Sequence, residues 1–226
     1  MKNEQGKIEK MNSNINEIIE QSNVFFDNSE NIFISLENDT KNYDNGFWGT
    51  SILIEQTPFD FERSQIKRGK RLLKPPQKKA DKFFHLQNEK GNIVAIFGYI
   101  ENYELPGSYI FIQKDRDIEK IYRFDILKKM VSFQQRFFEN DLISQSIEIQ
   151  KNGNSIVEFY HYDKSNRLIE IERKHKDRKR FNDTSFFPDH IFPSKFILEY
   201  TGRDTQPTKI LWDANSQNEL REIWTK

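Results

Sequence analysis

At 226 residues with no cysteine, the chain is long enough to bury a core without staples, and disulfides, thiolate zinc sites and cysteine nucleophiles are excluded. Its 35 basic side chains balance 35 acidic ones, so no global charge draws it to nucleic acid or to an anionic membrane. The 20 Phe, 8 Tyr and 3 Trp argue against disorder, which is poor in aromatics, and toward strands.

The N-terminal segment has no apolar core of a secretory signal. No run reaches the roughly 18 apolar residues of a membrane span. With the missing cysteines, this predicts a cytoplasmic protein. Ile8, Met11, Ile15, Ile18 and Ile19 recur at helical spacing and predict one amphipathic helix packed on a sheet. Short strands are expected at 31–36 (NIFISL) and 50–55 (TSILIE), with the Asn45-Gly46 region between them read as a turn.

Charge is uneven along the chain. Residues 1–64 hold 12 acids against 5 bases, whereas residues 66–82 hold 8 bases against Asp81 alone. The latter stretch also contains Pro75 and Pro76 and shows no period, so 65–81 reads as a basic linker. The expected organisation is an N-terminal helix with short strands over 1–64, this linker, and a repeated strand meander over 82–226.

Within the meander, Ile143, Ile147 and Ile149 alternate with polar residues. Asn152-Gly153 then signals a tight type I′ hairpin turn. Strands are expected at 142–150, 154–162 and 167–173, with further strands at 117–124 and 129–138. A helical spacing of Ile126, Met130, Phe133 and Phe137 competes with this last assignment. Leu86, Phe124, Tyr162 and Tyr200 stand 38 residues apart. That period predicts a repeat in which Phe124, Tyr162 and Tyr200 occupy equivalent places on one sheet face. The stretch 174–194 reads as a loop. The fold class is mainly β, a long twisted antiparallel meander with one or two helices on one face.

The run Tyr160-His161-Tyr162-Asp163-Lys164-Ser165-Asn166-Arg167-Leu168 resembles the YD repeat of Rhs-type proteins, with Asn166 standing where glycine is usual. Short meanders of this kind are similar to small bacterial immunity proteins that pair with polymorphic toxins. The resemblance implies a protein partner, a toxin effector domain, and carries no site residues.

No nucleophile–base pattern, phosphate-binding glycine loop or metal-ligand spacing is legible around His85, His161, His175 and His190, so neither cofactor nor metal nor catalysis is expected. Asp189-His190 reads as a loop pair, and His161 as a half-buried strand residue beside Val157 and Phe159. The densest basic cluster is Arg173, Lys174, Lys176, Arg178, Lys179 and Arg180. It is the candidate partner-binding element. The function expected is non-enzymatic binding of another protein, most simply neutralisation of a cognate toxin by an immunity protein. The alternative is nucleic-acid binding through 66–82 and 173–180. A hydrolase with dispersed carboxylates is the third reading, which a cleft of converging acids would favour.

Overall fold

The computed structural model describes Ile15 and residues 17–100, 104–176, 192–214 and 219–226. Ile8, Met11 and the Asp189-His190 pair lie outside these residues, as do Arg178, Lys179 and Arg180. A first helix, α1, covers residues 17–27, and a second, α2, covers Ser29–Thr40. The segment expected as a strand at 31–36 is therefore helical. Its six residues look β-branched and apolar in isolation. In the longer window Ile15, Ile18, Ile19, Phe33 and Leu36 are all buried in one cluster, a stripe of period 3.6.

Among the described residues, twelve strands form one antiparallel sheet in sequence order. They are β1 (Gly46–Gly49), β2 (Lys82–Gln87), β3 (Ile93–Tyr99), β4 (Pro106–Asp115), β5 (Ile118–Asp125) and β6 (Met130–Glu139). β7 (Leu142–Gln150), β8 (Ser155–Tyr162), β9 (Leu168–Lys176), β10 (Phe192–Glu199), β11 (Lys209–Asp213) and β12 (Arg221–Thr225) complete it. A fold that is mainly β is thus observed, and β5 and β6 resolve the helix–strand competition in favour of strands. β1 falls where a turn was read, and 50–55 forms no strand. The supposed loop at 174–194 begins as strand, because β9 runs on to Lys176 and pairs there with β10, Phe192 facing His175.

Alternation divides the sheet into two faces. On the helix face, Phe25 packs edge-on against Phe133, and Phe33 against Tyr109, Phe111 and Phe124. The other face is crossed by an irregular strap, residues 50–66, which contains the one-turn helix α3 (Asp60–Arg63). Ile52 and Ile54 pack beside Ile96, Ile110 and Ile121. Phe59 joins Tyr160, Ile171, Phe196 and Ile210.

The strap implies that the sheet curls. Gln65 Nε2 donates to the Ile223 carbonyl of β12 at 3.0 Å, and five residues later Lys70 O accepts from Thr50 N, next to β1. Five extended residues span at most about 18 Å. Twelve strands laid flat would separate the edges by about 50 Å. The strap face is therefore concave, and the two edges approach each other around it.

Three hairpins share one turn. In 88–92, 125–129 and 163–167, Oδ1 of Asn88, Asp125 or Asp163 accepts backbone N–H groups two and four residues on. Gly91, Lys128 and Asn166 take positive φ of 79°, 58° and 60°. This is the physical content of the YD-like run: the Asp side chain caps the turn, and Arg167 Nε returns to Asp163 Oδ2 at 2.8 Å.

The repeat does not place its aromatics on one face. Phe124 lies in the helix-face cluster, whereas Tyr162 and Tyr200 pack on the strap face. A three-strand unit reverses strand direction while the meander keeps advancing, and that operation turns the sheet over. Aligned by their turns, Gln87 rather than Leu86 is the counterpart of Phe124. Tyr200 directly follows β10, two strands after β8 instead of three, so its spacing falls outside the repeat.

At Asn152-Gly153 the expected type I′ turn is absent. Only Gly153 has positive φ, at 87°, and its N–H donates to Gln150 O at 2.8 Å. This is a type I turn closed by a left-handed glycine, the three-residue hairpin loop. Gly153→Ala should therefore cost about 1 kcal/mol, read as a lowered thermal midpoint. An unchanged midpoint would contradict the turn geometry.

Candidate functional site

The strap is fastened by a buried polar layer. Glu158 on β8, 1% exposed, accepts Arg63 Nη1 at 2.6 Å, Arg173 Nε at 2.8 Å and Nη2 at 2.6 Å, and the Tyr160 hydroxyl at 2.5 Å. Arg63 also donates to Thr57 Oγ1 at 2.5 Å. Both guanidinium carbons, of Arg63 and Arg173, lie 4.9 Å from the Phe196 ring centroid. Nearer the first edge, Arg136 donates to the Glu55 and Gln56 carbonyls at 3.1 and 2.9 Å. Arg123 reaches Gln134 Oε1 at 3.0 Å and also the Gln56 side chain.

Burial alone would raise the Glu158 carboxyl, but the charges of Arg63 and Arg173, with the hydrogen bonds from Arg63 and Tyr160, outweigh it and hold it at about 2. Burial and the adjacent Glu158 push the Tyr160 hydroxyl well above its ordinary value. A carboxylate held ionised with its lone pairs occupied is a poor proton carrier at neutral pH. The cluster acts as an anchor. A cleft of about 1390 Å³ opens at the β4–β5 hairpin between Tyr43, Ile54 and Lys114. The buried carboxylate in its lining, Glu119, is bound by Arg136. Among the described residues no three metal-ligating side chains gather, and no helix is long and apolar enough to cross a membrane.

Of the basic cluster at 173–180, the described members Arg173, Lys174 and Lys176 divide between the two faces of β9. Arg173 points to the strap face and is spent on Glu158. Lys174 points to the helix face, 5.4 Å from the Phe159 ring. Lys176 ends β9. Alternation sends Arg173 to the face opposite Lys174 and Lys176, so these three bases do not line one patch. His161 is exposed rather than half-buried, 3.9 Å from Glu172. His85 is fully buried and accepts Leu53 N–H on Nε2 at 3.0 Å, and burial lowers its pKa.

Among the described residues, two surfaces offer themselves to a partner. The first is the helix face over β9–β12, beyond α1 and α2. There His161–Glu172, Glu170–Lys195 at 3.6 Å and Lys209–Glu222 at 3.3 Å surround Ile197 and Leu211, which are paired across β10 and β11 and half-buried. The second lies at the first edge, where the basic stretch 66–82 runs beside Trp48 and Tyr99. Neither Ile197 with Leu211 nor Arg63 with Glu158 stood out in the sequence. Each pair joins through the sheet register or across 95 residues, and period-2 alternation was the only available signal.

Compared with known proteins, the sequence matches no protein-family profile and no curated protein.

Glu158 also sets a pH dependence. Its folded pKa lies below the ordinary 4.5, so the unfolded chain takes up the proton first. The stability it contributes is complete above about 4.5 and is lost as pH falls through about 2. Urea midpoints of wild type and Glu158→Gln should converge across that window. A gap that persists unchanged at its acid end would contradict the anchor. Removing one partner of a buried pair is costly, so Arg63→Ala should lose about 3–5 kcal/mol at neutral pH.

Proposed function

We propose that this protein is a non-enzymatic, stoichiometric protein-binding module whose partner is a toxin effector domain that it neutralises. One observation carries the binding part. The solvent-facing part of the helix face over β9–β12 places an apolar centre, Ile197 and Leu211, inside a rim of ion pairs. Apolar centre and polar rim are the anatomy of a protein interface. The surface is held by hydrogen-bonded strands on both sides, so little ordering entropy opposes docking. The toxin part rests on the likeness of Tyr160–Leu168 to the YD repeat. The turn geometry around Asp163 gives that likeness a physical basis without assigning a family.

Binding requires no reactive group. The anchored Glu158 and the Arg136-bound Glu119 fit a scaffold role better than an acid–base one. The rim selects the partner and speeds encounter, while the apolar pair supplies residence time.

The partner to test is the product of a toxin-like reading frame adjacent to this one. Calorimetry should give a one-to-one complex, and co-expression should rescue growth. Leu211→Asp should weaken the complex by at least about 30-fold, the mark of a central interface residue, while thermal unfolding stays cooperative. Full affinity and full rescue with Leu211→Asp would refute the assignment of this face. The absence of any complex would refute the toxin reading.

A further inference from the structure

The first edge carries a second surface that the protein-binding reading does not use. Lys67, Lys70, Arg71, Lys74, Lys78 and Lys79 are all exposed. Arg68, by contrast, is held by Glu62 at 2.9 Å and by Glu55. None of the six exposed bases forms an ion pair with a described carboxylate. On a chain of zero net charge, a run of unpaired cations leaves a local field that attracts anions.

Half-buried aromatics stand beside them. Trp48 lies 5.2 Å from Phe84 and 5.3 Å from Tyr99, centroid to centroid. The Lys79 ammonium sits 5.2 Å from the Tyr99 centroid and 6.0 Å from that of Trp48. A cation resting on two half-buried aromatic rings can exchange its ring contact for a stacked base and a phosphate.

The backbone argues against a peptide there. The outer side of β1 is already occupied: Leu72 N donates to Trp48 O at 2.7 Å, Thr50 N donates to Lys70 O at 3.0 Å, and Gly49 bridges Arg71. Strand addition, the usual way for a peptide to bind a sheet edge, needs free backbone groups. The same pairing fixes the basic stretch at its start, so its charges are displayed at a set place beside the rings.

We infer that the first edge, Trp48 and Tyr99 with the bases of 66–82, binds single-stranded nucleic acid without reading its sequence. The bases of the segment neutralise successive phosphates, and Trp48 with Tyr99 stacks a base that duplex pairing would hide. This site shares no residue with the β9–β12 surface, so either can fail alone.

The test is fluorescence anisotropy with labelled oligothymidylate, with the same length of DNA duplex and polyglutamate as competitors. Binding should weaken as salt rises from about 50 to about 200 mM, at about 0.7 in log–log slope per phosphate contacted. Lys74→Glu with Lys78→Glu should reduce the slope magnitude by about 1.4. Trp48→Leu should weaken binding at least about fivefold at unchanged slope. Circular dichroism melting of each variant separates lost binding from lost fold. If Trp48→Leu unfolds, Tyr99→Leu serves in its place. No binding at the lowest salt would overturn the proposal. A slope untouched by the charge reversals would overturn the placement, and competition by duplex or polyglutamate as strong as by single strand would overturn the stacking.

Discussion

The burial of one carboxylate organises the concave side of this sheet. Glu158 sits mid-strand on β8, where alternation points it away from the helices and into the curl. An unpaired charge there would be untenable. It is made tenable by Arg63, which arrives on the strap from 95 residues earlier in the chain, and by Arg173 from the next strand. Because Arg63 must come to Glu158, the strap must cross the inner face. Because the strap then reaches β12 and returns to β1, the twelve strands cannot lie flat. Curl, strap and buried ion pair are one arrangement seen at three scales.

That arrangement explains why the sequence was readable in part. Hairpin registers are local: alternation and Asx-type turns at Asn88, Asp125 and Asp163 specify them within a few residues, and β5 to β9 emerged close to their observed ends. The segments that went astray are those whose state depends on distant partners. NIFISL is helical because Phe33 has a sheet of aromatics to pack against. TSILIE is a strap because Leu53 bonds a histidine side chain and its neighbours bond arginines, in place of a ladder. The 38-residue spacing of aromatics tracked the turns at 125 and 163, with the turn at 88 one residue off, and was misleading for the faces, since an odd number of strands per unit inverts the sheet.

The candidate sites show the same division. The bases Arg173, Lys174 and Lys176 form a run in the sequence, but β9 distributes them over two faces, and Arg173 turns to Glu158 on the strap side. The bases at 66–82 hold together because that stretch skirts the first edge outside the ladder. Ile197 and Leu211 became a pair only through the β10–β11 register. Charge clusters in sequence thus survive as surfaces in irregular segments and dissolve in strands.

The central functional claim is that a protein partner docks on the helix face of β9–β12. Hydrogen–deuterium exchange of this protein, alone and with the product of any toxin-like reading frame adjacent to its own, tests it most directly. The account predicts new protection confined to β9, β10, β11 and β12, with the strap and the 66–82 stretch unchanged. Protection at the first edge, or none anywhere at saturating partner, would contradict it.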